Sequence, residues 1–247
     1  MRARTHHIVA ATSAAVLAVV ALGACSSGDG KPDNTKTDAK ALADKAVAYL
    51  WKHTSMEGTA KGTDEDGEAQ EMKVCGNVTP DGDLVSLKGT LVLDGQDADV
   101  ISIDGKDYIR IPLSHYIKMI GTNDPTIAAR VEKSIGGKYI VSVSDDDETG
   151  SLFEGGTGGV TKGEVTQFDG KQAIPLTKIG KDGAKKTVYV AAKGDVVVYG
   201  NLEENGRKRI ETIIVSVGKP CDVAAPPQGQ FLTEDEFDKA FDESKTP

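Results

Sequence analysis

Short runs that alternate apolar and polar residues, separated by pairs ending in glycine, set the tightest limit on what this 247-residue chain can fold into. Asp104-Gly105, Asp169-Gly170, Lys193-Gly194 and Asn205-Gly206 each stand between two such runs. Pairs of this kind supply the positive φ values that tight hairpin turns demand, so the pattern predicts antiparallel hairpins. In DLVSLKGTLVLDG, Val85, Leu87, Gly89, Leu91 and Leu93 share one face while Ser86, Lys88 and Thr90 take the other. ADVISIDGKDYIRI continues with Ile101 and Ile103 on one side, and GEVTQFDGKQAIPLTKIG and KKTVYVAAKGDVVVYGNLEENGRKRIETIIVSV alternate in the same way. Strands with one dry and one wet face follow.

Helical spacing interrupts the strands in three places. Leu42, Ala46, Tyr49, Leu50 and His53 predict a first amphipathic helix of about four turns that starts at Asp38. Leu113, Ile117 and Ile120 form a short stripe ended by Gly121, and Asp124-Pro125 starts a helix carrying Ile127, Val131 and Ile135 that Gly136 stops. Near the end, Thr233 and Glu236 make a capping box, Leu232 and Phe237 a staple, and Phe237 and Phe241 share a face. Residues 142–163, rich in acids and glycine, read as a mobile loop with a Leu152-Phe153 knot. About eight to ten antiparallel strands with helices at the front, middle and end give one α+β domain with a strongly curved sheet, over residues 38–247.

The first residues are of another kind. Arg2 and Arg4 precede an uncharged run from Ile8 to Ala24, and Leu22-Gly23-Ala24-Cys25 closes it. That is the layout of an export signal, here one cut before a cysteine whose sulfur carries diacylglycerol. Residues 1–24 are therefore expected to be a lipoprotein signal peptide and Cys25 the lipidation site, two or more acyl chains giving a stable anchor where one would not. Residues 25–37 lack large apolar side chains and read as a flexible tether with a root-mean-square reach of ~20 Å. The expected location is the outer face of the cytoplasmic membrane, lipid-anchored and extracytoplasmic.

Loss of the two signal arginines leaves 27 Lys+Arg against 38 Asp+Glu, a net charge of −11. So acidic a surface repels phosphate polymers, which argues against nucleic-acid binding. With Cys25 used by lipid, Cys75 and Cys221 remain, either as a disulfide or as two free thiols. A bond closing a loop of roughly 150 residues would contribute up to about 5 kcal/mol.

Few residues point to chemistry. His6 and His7 leave with the signal, and His53 and His115 read as surface or boundary residues. Nucleophile-elbow, zinc-protease, phosphate-loop and paired-cysteine motifs are missing from the sequence, so the chain reads as non-enzymatic, with no cofactor and no metal. The acids at 64–68, Asp94, Asp97, Asp99 and 145–148 lack the alternation and closing carboxylate of a calcium loop. GGTGGVTKG follows no buried parallel strand and is read as a flexible loop. What remains is apolar surface. Leu87, Leu91, Ile101, Ile103, Ile109, Val188, Val190, Val198, Ile213 and Val215 are candidates for one concave wall, with Trp51 and the mid-chain helices as a lid. Such a wall is either an ordinary filled core or a pocket for an acyl chain.

The lipobox LGAC, the helix ALADKAVAYL, the hairpin ISIDGKDYIRI and the late run KKTVYVAAKGDVVVYGNLEENG with VSVGKPCDVAAPP resemble the actinobacterial LppX/LprG-type lipoproteins, which share a half-barrel with the carrier LolA and the receptor LolB. The resemblance implies a LolA-like half-barrel with helices packed on its concave face. It also implies a hydrophobic cavity that takes a lipid or glycolipid and moves it through the cell envelope. A monomer is expected. The other reading of the chain is a tethered interaction module that binds a membrane or cell-wall protein.

Overall fold

The computed structural model describes residues 32–64, 67–79, 84–93, 95–121, 123–143, 153 and 156–245. Cys25, Asp94, Leu152 and the acids at 145–148 lie outside them.

The first helix, α1 (Ala39–Trp51), begins where the Asp38 carboxylate accepts the Ala41 amide at 2.9 Å, the expected cap. Five strands follow, β1 (Ser55–Thr63), β2 (Ala69–Val78), β3 (Leu84–Leu93), β4 (Gln96–Ile103) and β5 (Lys106–Arg110). Then come α2 (Leu113–Ile120), α3 (Pro125–Ser134) and β6 (Tyr139–Val143). The second run of strands is β7 (Thr161–Lys162), β8 (Thr166–Phe168), β9 (Lys171–Ile179), β10 (Lys185–Ala191), β11 (Val198–Asn205) and β12 (Lys208–Val217). The chain closes with β13 (Phe231–Thr233) and α4 (Glu234–Lys245).

All thirteen described strands belong to one sheet, in the order β13-β6-β5-β4-β3-β2-β1-β12-β11-β10-β9-β7, with β8 on β9. The count exceeds the expected range because β7, β8 and β13 are two or three residues long, too short to show a period. The sheet is antiparallel except for the pairing of β13 with β6. Asp104-Gly105 and Asp169-Gly170 both take positive φ at each residue, as their hairpins require. The left-handed residue after α3 is Gly137 at φ 73°, one position beyond Gly136.

Residues directly opposite in an antiparallel pair point to the same side, so the register sorts every side chain. Met56, Gly58 and Ala60 share one face with Met72, Val74, Leu87, Gly89, Leu91, Ala98, Val100, Ile109 and Ile140. The helices lie on that face. α1 packs on Ile174, Leu176, Val188, Val190 and Val198, while Tyr116 of α2, Val131 of α3, and Phe237 and Phe241 of α4 gather with Ile109, Ile111 and Ile140. Two glycines show how tightly the sheet curls here. A Cβ on Gly89 would sit 2.4 Å from the Lys73 carbonyl oxygen, and one on Gly62 would sit 1.8 Å from that of Arg209. The result is an α+β half-barrel with its helices inside the curve.

Residues 32–37, which composition places in the tether, are fixed to the domain. Asp33 caps a single 3-10 turn, Asn34–Lys36, by accepting the Thr35 amide and hydroxyl. Asn34, 2 % exposed, donates from Nδ2 to the carbonyls of Ala191 (2.8 Å) and Gly194 (3.1 Å), and from its backbone to Ala192. A local polar cap, not an apolar side chain, holds the segment, which is why hydropathy assigns it to the linker.

Between β12 and β13 the chain runs as a strap across the face without helices. Cys221 is bonded to Cys75 of β2, with Cα atoms 5.7 Å apart. Its N–H and C=O pair with the Asn77 side chain at 2.9 and 2.8 Å, and Lys88 Nζ donates to the Asp222 carbonyl.

Candidate ligand-binding face

The ten wall residues named from the sequence do not form one surface. Val188, Val190 and Val198 are buried beneath α1, and Leu87, Leu91 and Ile109 lie further along the same helix-bearing face. Ile101, Ile103 and Ile213 point the other way, since they stand opposite Tyr108, Lys106 and Thr59. Val215 is the extra residue of a bulge in β12 and is 61 % exposed. Alternation within one run identifies a shared side, but it cannot say which side of the next strand matches it until the register is known. Trp51 packs against the α1 cluster rather than closing a separate space.

Between the two helix groups lies a third apolar patch. Met72, Leu91, Ala98 and Val100 are its buried members, with Ala60, Val74, Leu87 and Leu93 around them. Among the described residues, every member of it comes from β1–β4. Its side chains are aliphatic or methionine, a lining that suits methylene chains and offers no donor or acceptor.

Polar residues on the same face were missed in the sequence reading. Thr212 opposes Ala60 on one side and Asn201 on the other, and both are buried, with Thr212 Oγ1 lacking a hydrogen-bond partner. One step along, Glu203 pairs with Lys208 at 2.8 Å and Lys186 at 3.8 Å. The side chains of the three are only 15–23 % and 14 % exposed, for the lysines and the glutamate respectively. The signal was present as the facing pairs Lys185-Lys186 and Glu203-Glu204, but charge in a hairpin normally reads as solvated. On β10–β12 the same face is thus apolar beneath α1 and ionic toward the opposite end of the strands.

The other face carries an open groove of about 470 Å³. Thr59, Lys73, Thr90, Asp99 and Arg110 line it in one row across five strands, with Tyr139 at the end. Arg110 pairs with Asp99 and lies over the Tyr139 ring, 4.9 Å from its centroid.

His53 and His115 belong to different helix groups. His53 sits edge-on to Tyr49 at 5.1 Å, and burial followed by the neighbouring Lys52 charge pushes its pKa down. His115 is on α2. Burial raises the Tyr116 and Tyr49 hydroxyls above the ordinary tyrosine value, so both stay neutral. Among the described residues no three His, Cys, Asp or Glu side chains converge as a metal site.

No protein-family model matches the sequence. No curated protein matches it either. The fold, however, is shared with solved structures. LprF from Mycobacterium bovis superposes with a TM-score of 0.51 at 10 % identity, over 80 % of this chain and 99 % of that one. LppX, a lipoprotein of Mycobacterium tuberculosis, aligns at 14 % identity and a TM-score of 0.48, over 75 % of this chain and 98 % of its own. A LolA superfamily protein from Nitrosomonas europaea aligns at 8 % identity and a TM-score of 0.28. The expected half-barrel rests on the sheet described above and on the likeness to LprF, which at 10 % identity concerns the fold alone.

Proposed function

We propose that this protein is a membrane-anchored lipoprotein that binds a lipid or other hydrophobic ligand on the helix-bearing face of its half-barrel and carries it in the cell envelope, without catalysis. The observation that carries this reading is the apolar patch of Met72, Leu91, Ala98 and Val100, built wholly from strands between two groups of helices. The patch is lined by aliphatic and methionine side chains with no donor or acceptor to satisfy, so a methylene chain that reaches it sacrifices no hydrogen bond. The half-barrel shared with LprF supports the reading as a fold that leaves a covered concave face. Cys25 carries the diacylglycerol in this account, and the export layout of residues 1–24 is its support.

Native mass spectrometry of the chain purified from its own host, followed by organic extraction, tests the reading. A stoichiometric lipid that is lost in a Val100→Asp variant that still folds is the expected result. An empty protein with unchanged stability when lipids are added would sink it.

The groove on the opposite face favours a second reading, a tethered module binding a protein partner through Arg110, Asp99 and Tyr139. In-cell crosslinking from Thr90 to a single protein, with no lipid extracted, would select it over the first.

A further inference from the structure

The fixed segment at residues 32–37 determines which end of the domain meets the membrane. The Pro32 carbonyl accepts the Gly194 amide at 2.8 Å, Asn34 is hydrogen-bonded to Ala191, Ala192 and Gly194, and Lys162 Nζ donates to the carbonyls of Thr35 and Thr37. The chain is thus immobilised from Pro32 onward, at the turn between β10 and β11.

Only residues 26–31 separate Pro32 from Cys25. Seven virtual bonds span at most ~25 Å when fully extended. A flexible chain of that length spans ~15 Å on average. β11 alone, eight residues from Val198 to Asn205, measures ~26 Å. The Asn205-Gly206 turn at its far end therefore reaches a bilayer that holds Cys25 only with the tether drawn to its limit.

We infer that the end of the domain formed by the β10–β11 turn, the Asp169-Gly170 turn and the start of α1 is a membrane-facing surface, held against the bilayer by a short tether and the buried Asn34. This rests on the reading of Cys25 as the lipidated residue. The partner is the surface of the bilayer that carries the anchor. Lys193 and Asp195 are exposed at that turn and stand next to lipid headgroups, while Gly206 and Arg207 point away. The attachment lets the domain pivot about Pro32, while turning over requires the tether to be fully drawn out.

Photo-crosslinking of the full chain in cells tests this. A benzophenone amino acid is placed at Lys193 in one variant and at Arg207 in another, and phospholipid adducts are counted by mass spectrometry. Adducts should be at least fivefold more abundant from position 193. Inserting ~24 Gly and Ser residues after Gly30, which raises the average span to ~30 Å, should bring the two positions to parity. Equal adducts from both positions of the unextended chain, in protein that fractionates with membranes, would overturn the orientation and leave lipidation standing. Recovery of the chain outside the membrane fraction, unchanged by Cys25→Ala, would overturn the lipidation reading and the orientation with it.

Discussion

Cys221 is joined to Cys75 covalently and to Asn77, two residues along the same strand, by a reciprocal pair of hydrogen bonds from its backbone. The strap and β2 are therefore clamped at one point across a sequence separation of 146 residues. A cross-link of this span removes much of the freedom of the unfolded chain, so the Cys75→Ala, Cys221→Ala double variant should lose about 2–5 kcal/mol. Urea denaturation reads the loss directly, and a midpoint equal to that of the unaltered protein would show that the bond does not stabilise the fold.

The curl of the sheet depends on small residues at tight approaches. Gly89→Ala places a methyl group 2.4 Å from the Lys73 carbonyl oxygen, a backbone atom that moves only with its strand. The expected cost is about 1–3 kcal/mol. Gly158→Ala is the control, since nothing lies within 4 Å of its added methyl. Equal thermal midpoints for the two variants would count against the close approach.

Leu42 and Leu50 stand about two turns apart on the buried side of α1, and both are essentially inaccessible to solvent. Truncation of either to alanine removes buried methyl groups from the contact with Ile174, Leu176 and Val188, and each should cost about 2–5 kcal/mol. Lys45→Ala on the same helix should be nearly neutral. Chemical denaturation of the three variants orders them, and a cost for Lys45→Ala equal to that of Leu42→Ala would contradict the packing.

The capping box at the last helix makes stability fall in acid. The Glu236 carboxylate accepts the Thr233 amide at 2.9 Å, and that bond, followed by the one involving the Thr233 side chain, holds its pKa below the usual 4.5. Asp124 is held below 3.8 by the Thr126 amide at the start of α3. A carboxyl with a depressed folded pKa contributes its full share above the unfolded value and loses it as pH falls through the folded one. Stability should therefore decline below about pH 4.5, and the curve for Glu236→Gln should meet that of the unaltered protein at low pH. Urea midpoints from pH 6 to pH 3 decide it; parallel curves would exclude the carboxylate as the source.

Much of the architecture was legible because local signals agreed. Asp38, Asp124-Pro125 and Thr233-x-x-Glu236 announce their helices by capping chemistry, and Asp104-Gly105 and Asp169-Gly170 announce hairpins by the φ values they allow. The candidate site was less legible because it depends on register between strands far apart in sequence. Ile101 and Leu91 look equivalent in a pattern of alternation, yet β3 pairs Leu91 with Ala98 and Lys88 with Ile101, which sends the two to opposite faces. Glu203 is not singled out by the alternation, because only the strand register shows that Lys186 and Lys208 flank it on the inner face. Asn34 escaped for a related reason, its partners being 157 and 160 residues away.

The pairing of β13 with β6 has a consequence for how the molecule is assembled. Among the described residues, Tyr139–Val141 take their outer neighbours from Phe231–Thr233. A chain delivered N-terminus first therefore keeps one margin of its sheet uncovered until nearly all of it has arrived, and that margin is a template for any other extended peptide. The strap carries the covering strand back to it over the face already formed. Shortening the chain before residue 231 would thus leave a sticky rim as well as a missing helix, and self-association, more than unfolding, is the fate of such a fragment.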